Sequence, residues 1–109
     1  MVEERIKEIA KLIKDFLKNR NIIVDIIIVF GSYAKGNYTK DSDLDIAIVS
    51  RNFDDKDIFQ KTEMLKGLKW SLVEKFMFPF DIVLISLKEW QESSSLVVDF
   101  VKEGTVLSL

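Results

Sequence analysis

The chain has 109 residues, 48% of them hydrophobic and 31% charged, which is enough for one core and excludes both a disordered segment and a two-domain protein. Sixteen basic against eighteen acidic residues give a net charge of −2, so no general basic field exists to hold a long nucleic acid directly. Cysteine and histidine are both absent, which removes disulfides, thiolate and imidazole metal sites and Ser-His-Asp triads. Any chemistry is left to carboxylates, lysines and hydroxyls.

The first segment, Val2 to Arg20, places Ile6, Ile9, Ala10, Ile13, Phe16 and Leu17 on one side and Lys7, Lys11, Lys14 and Lys18 on the other. That spacing predicts an amphipathic helix. With no leader-like stretch and no apolar run of spanning length, the expectation is a cytoplasmic protein with no membrane role. Ile22 to Phe30, interrupted only by Asp25, reads as a strand buried on both faces.

Gly31-Ser32 stops this strand, and Ser32 is expected to cap a short turn over Tyr33 to Lys35 before Gly36 releases the chain. After a loop, Leu44, Ile46 and Ile48 alternate with Asp43, Asp45, Ala47 and Val49, so a second strand carries both carboxylates on one face. Asp54, Asp55 and Asp57 suit a helix N-terminus. Ile58, Leu65, Leu68, Leu72 and Phe76 predict one helix of about five to six turns through Lys75.

Phe80 to Ile85 reads as a third strand containing Asp81, and Lys88 to Ser95 as a turn with a capped helix start. Leu96 to Lys102 is read as helical, with Gly104 as a C′ glycine and Thr105 to Leu109 as a short edge strand. The sum is a single domain over 1–109. It is expected to be α/β (α+β), a small mixed sheet of three to four strands flanked by helices.

A single Asp-x-Asp carries little information in a chain with ten aspartates. Asp43 and Asp45 stand out because they open an otherwise aliphatic strand, whereas Asp41 reads as a loop residue. About 7 Å apart on one face, they repel unless a cation lies between them. Asp81, inside an apolar run, also needs a positive neighbour, either a lysine or a metal shared with the other two. If the second and third strands pair, the three converge on a site suited to two divalent cations roughly 4 Å apart. Hard oxygen ligands favour Mg2+ or Mn2+. Gly31-Ser32 is either an ordinary turn or a loop whose backbone approaches a phosphate, and Lys35 and Ser42 are placed to add a charge and a hydroxyl.

Gly31-Ser32-Tyr33-Ala34-Lys35-Gly36, then Ser42-Asp43-Leu44-Asp45-Ile46, then a later strand with Asp81, resembles the nucleotidyltransferase signature of the DNA polymerase beta superfamily. The short chain is most similar to its minimal nucleotidyltransferases, which commonly accompany a HEPN-domain toxin. The resemblance implies that Asp43, Asp45 and Asp81 are catalytic and bind two metal ions, and that Gly31, Ser32 and Ser42 contact the nucleotide. Lys35 stands where the family usually has arginine, keeping the charge and losing the bidentate fork.

The resemblance further implies an antitoxin that transfers AMP from ATP to a hydroxyl, a tyrosine, of a HEPN partner. About 24 residues follow the third strand, too few for an acceptor-binding domain of its own, so the acceptor is expected from a homo- or hetero-oligomeric partner. Trp70, Phe78, Trp90 and Val97 are either its docking face or core. Two alternatives stand beside this reading: a small-molecule transferase of the aminoglycoside type, and an antitoxin that acts by binding alone.

Overall fold

In the computed structural model, residues 3–39, 41–92 and 95–107 are described. The first segment forms α1 (Glu3–Lys18), and Asn21, at φ 62°, ends it. The Ile22 amide donates to the Leu17 carbonyl at 2.9 Å and the Asn21 amide to the Lys18 carbonyl at 3.0 Å, a Schellman closure sealed by contact between buried Leu17 and Ile22.

The chain then gives β1 (Ile26–Phe30), α2 (Ser32–Lys35) and β2 (Leu44–Ser50), followed by a 3-10 turn at Arg51–Phe53. Next come α3 (Ile58–Met64), α4 (Leu68–Phe76) and β3 (Phe80–Ser86). Last are α5 (Leu87–Glu92), α6 (Leu96–Val101) and β4 (Thr105–Leu107). Ser93, Ser94, Ser108 and Leu109, which the sequence reading assigned to the sixth helix's approach and the last strand, lie outside the described residues.

The sheet is mixed, with order β3-β2-β1-β4. β1 runs antiparallel to both β2 and β4, while β2 and β3 are parallel. A parallel pair needs a crossover, and α3 and α4 supply it. The period-two alternation of β2 divides the core into two layers. Leu44, Ile46 and Ile48 pack with Ile9, Ile13 and Leu17 of α1 and Leu68, Leu72 and Phe76 of α4. Ala47 and Val49, on the face that Asp45 shares, pack with Ile28, Val98 and Val101. Fully buried side chains of this size contribute about 1.5–3 kcal/mol each, which fixes register strongly because a one-residue slip would invert both faces.

Four local expectations are corrected. The long helix through Lys75 is two helices, because Gly67 at φ +91° breaks the ladder and starts α4 from a left-handed residue. Ile58 keeps helical spacing but is 61% exposed, so it does not join the core stripe. Gly104 is not a left-handed cap; a Cβ there would strike the Val29 carbonyl and the Ile28 side chain, so glycine is needed for close approach of the chain to β1. The first strand is also shorter than read, beginning at Ile26 after an extended approach.

At the end of β1 away from Gly31, Asp25 receives the Arg51 amide at 2.7 Å and the Arg51 guanidinium at 2.6 Å. Burial pushes the Asp25 carboxyl upward, and the hydrogen bonds and charge of Arg51 more than reverse this, holding it below its ordinary value. A depressed carboxyl stabilises the fold above its unfolded pKa and loses that contribution as pH falls through its folded value. Asp25→Asn is therefore expected to lower the melting temperature by about 3–6 °C at neutral pH. Thermal melts down the pH scale should show the gap closing through the acid carboxylate range; a constant gap would assign the effect to packing instead.

Candidate active site

β1 ends at Phe30, whose Cα partner on β2 is Asp45. The next residue, Gly31, has φ 72° and ψ −149°, a region open essentially to glycine. Space imposes the same choice, since a Cβ on Gly31 would run into the Asp45 carboxylate. The glycine thus lets the backbone loop pass against an acidic side chain, which ties the two halves of the motif into one place.

Ser32 begins α2 and does not cap it. Gly31 occupies the capping position with no side-chain hydrogen bond, because the turn starts one residue earlier than a serine cap requires. Among the described residues the Ser32 hydroxyl has no hydrogen-bond partner, and the side chain is half-buried. Gly36, at φ 78°, ends the turn. The Ser42 hydroxyl is already engaged, accepting the Thr39 amide at 2.9 Å and lying 3.4 Å from the Thr39 hydroxyl. It braces the loop leading into Asp43.

The parallel register places Asp45 opposite Asp81 as Cα partners, so both stand on the same sheet face at the ends of neighbouring strands. Asp43, two residues before Asp45, is exposed, as is Asp81, while Asp45 is half-buried. Burial, then the charge of Asp81, then that of Asp43 raise the Asp45 carboxyl above its ordinary value. Among the described residues no basic side chain lies within ion-pairing distance of these three; the pairs present are Arg51–Asp25 and Lys61–Glu89. The lysine partner considered for Asp81 is therefore not found among them.

As they are set, no three acidic side chains among the described residues are gathered closely enough to enclose one ion. Like charges without a counter-charge turn apart. The chemistry of the donor set nevertheless fits a hard divalent cation: oxygen ligands only, mutual repulsion, and no base paired with them among the described residues. A shallow depression of about 460 Å³ opens beside Asp43, between Lys69, Met77 and Phe78.

One residue near this site escaped the sequence reading. Phe100 meets Phe30 edge-on, with centroids 5.8 Å apart, and the Lys35 ammonium lies 5.6 Å from the Phe100 ring. The available signal was Phe100 standing outside the buried Val98/Val101 stripe of α6. Of the four aromatic and aliphatic residues considered for docking, Trp70 and Val97 are 70% and 52% exposed. Phe78 stacks on Phe80 at 4.9 Å, and Trp90 packs against the second core layer.

Comparison with known proteins bears on the fold and the family. Residues 6–107 match the nucleotidyltransferase domain model. A Methanocaldococcus jannaschii protein, MJ0141, named as a candidate protein adenylyltransferase, is 30% identical over 81 residues, covering 71% of this chain and 75% of the relative. Among solved structures, a toxin-antitoxin with AMP-PNP is 27% identical with a TM-score of 0.57, covering 90% of this chain and 71% of the other. A second structure, of a candidate nucleotidyltransferase, is 28% identical with a TM-score of 0.53, covering 95% and 98%.

The raised Asp45 carboxyl has a stability consequence. Its ionised form is disfavoured in the fold, so the penalty is present above the folded pKa and disappears as pH falls and the group takes up its proton. In chelator at neutral pH, Asp45→Asn is expected to raise the melting temperature by roughly 2–4 °C, a screened effect of this size being typical for partly exposed charge. The gain should vanish below the carboxylate range; a lower melting temperature at neutral pH would contradict the repulsion.

Proposed function

The chain belongs to the nucleotidyltransferase domain family, and on that premise we propose that it transfers AMP from ATP to a hydroxyl, a tyrosine, of a HEPN-domain toxin, acting as the antitoxin of the pair. The observation that carries this reading is the side-by-side register of Asp45 and Asp81, flanked by Asp43 and by a glycine loop pressed against Asp45. The relative named as a candidate protein adenylyltransferase supports a protein acceptor, and the toxin-antitoxin likeness supports the kind of partner.

In this reading Asp43 and Asp45 would hold two Mg2+ or Mn2+ ions, with Asp81 as the third ligand. Bound there, the ions would supply positive charge that acidifies the acceptor hydroxyl and offsets charge on the departing pyrophosphate. Gly31 offers backbone close to the phosphates, and the Ser32 hydroxyl, without a partner among the described residues, can donate to one of their oxygens. Ser42 acts by holding the loop that presents Asp43. The acceptor oxygen attacks the α-phosphorus in line, a new oxygen–phosphorus bond forms, and the bond to the β-phosphate oxygen breaks. The hydroxyl proton passes to Asp81, an exposed carboxylate.

Incubation with α-labelled ATP, Mg2+ and the partner protein should place labelled AMP on the partner, and EDTA should prevent it. Asp81→Asn should reduce transfer by roughly a thousandfold or more while its thermal melt remains cooperative. Retained transfer by that variant would remove Asp81 from the reaction. Label on an added aminoglycoside would select small-molecule transfer, and inhibition of the partner with no label would select action by binding.

A further inference from the structure

We propose that the groove between α1, α2 and β4 is a docking site for an acidic amphipathic helix of a protein partner. The groove has a volume of about 790 Å³. Its floor is apolar, from Ile6 and Ala10 of α1, Val29 of β1 and Leu107 of β4, and Tyr33 and Ala34 of α2 line it as well. Val106, on the same edge, is 57% exposed.

Along α1 the groove is bordered by Lys7, Lys11, Lys14 and Lys18, with Asp15 as the acidic residue among its lining. Their spacing places all four on one stripe of the helix, about 16 Å long at 1.5 Å per residue. In a chain of net charge −2 this is a local concentration of positive charge. Among the described residues none of the four is in a salt bridge. Lysine stems also cover apolar surface while their ammonium groups stay in water, so the stripe and the floor form one amphipathic surface.

Charge and shape together select the occupant. A helix with carboxylates at i, i+4, i+7 and i+11 would match the lysine stripe over about three turns, while its apolar face would fill the floor between α1 and β4. A nucleic-acid backbone would satisfy the lysines and leave Ile6, Ala10, Val29 and Leu107 without an apolar partner. The groove lies on the α1 face of the sheet, opposite the face that carries Asp45 and Asp81. α2 joins the two, since it follows Gly31 and lines the groove. A partner held here is therefore anchored beside the phosphate-side loop without covering the carboxylates. The inference does not depend on transfer taking place, and its test reads binding alone.

The test is an NMR titration of the isotope-labelled full chain with a synthetic helical peptide of about four turns, bearing glutamates at the spacing above and leucines on the adjoining face. Amides of Ile6, Ala10, Tyr33 and Leu107 should shift together, and Lys11→Glu/Lys14→Glu should weaken binding about tenfold or more. A peptide with lysines replacing the glutamates should not bind. Three outcomes would overturn the proposal: shifts scattered away from the groove, affinity unchanged by the charge reversal, or a single-stranded RNA displacing the peptide at equal concentration. The amide spectrum of the variant also reports whether it is folded.

Discussion

Three carboxylates brought to one end of a sheet, with no counter-charge in ion-pairing distance among the described residues, are the constraint on which the rest of this structure bears. Asp45 faces Asp81 across a parallel register, and both its burial and its neighbours disfavour its charge. Such an arrangement persists only if something else fixes the strands. Here the two apolar layers do so: Ile46 and Ile48 on one face, Ala47 and Val49 on the other, all buried, leave β2 no alternative register. At the far end of β1, the Asp25–Arg51 pair fastens the hairpin where charge is satisfied. Stability is thus concentrated away from the carboxylates, and the repulsion at the site is maintained by packing.

Gly31 links this constraint to the loop proposed to approach phosphate. Its backbone conformation and the closeness of the Asp45 carboxylate both require glycine, so the loop that ends β1 is positioned by the acidic strand beside it. The adjacent Ser32 hydroxyl is left without a partner among the described residues, whereas Ser42 is occupied with Thr39. Two serines of the same motif therefore stand differently: one hydroxyl lies beside Gly31 unengaged among the described residues, and the other is tied into the loop before Asp43.

Much of this was readable before any coordinates. Period-two alternation gave β2 and the shared face of Asp43 and Asp45, and an aspartate inside the apolar run Phe80 to Ile85 marked Asp81 as needing a partner. What alternation cannot carry is which strands pair, so the convergence of Asp45 and Asp81 was conditional on a non-local contact. The misread features were local competitions. Gly67 at positive φ overrode helical spacing that continued on both sides of it. Gly104 answered to the nearness of β1, a tertiary fact with no signature in the residues beside it. Phe100 was invisible as a neighbour of Phe30 for the same reason, since they lie in different elements far apart in the chain.

The central claim is that Asp43, Asp45 and Asp81 together take a divalent cation, and a competing acidic group exists in the same chain at Asp54, Asp55 and Asp57 to serve as its control. Manganese titrated into the isotope-labelled protein broadens amides near the bound ion. Signals of Gly31, Asp45 and Asp81 are predicted to broaden first, and Asp45→Asn should abolish that selectivity. Broadening that begins at Asp54 to Asp57, or that is unchanged by the substitution, would contradict the account.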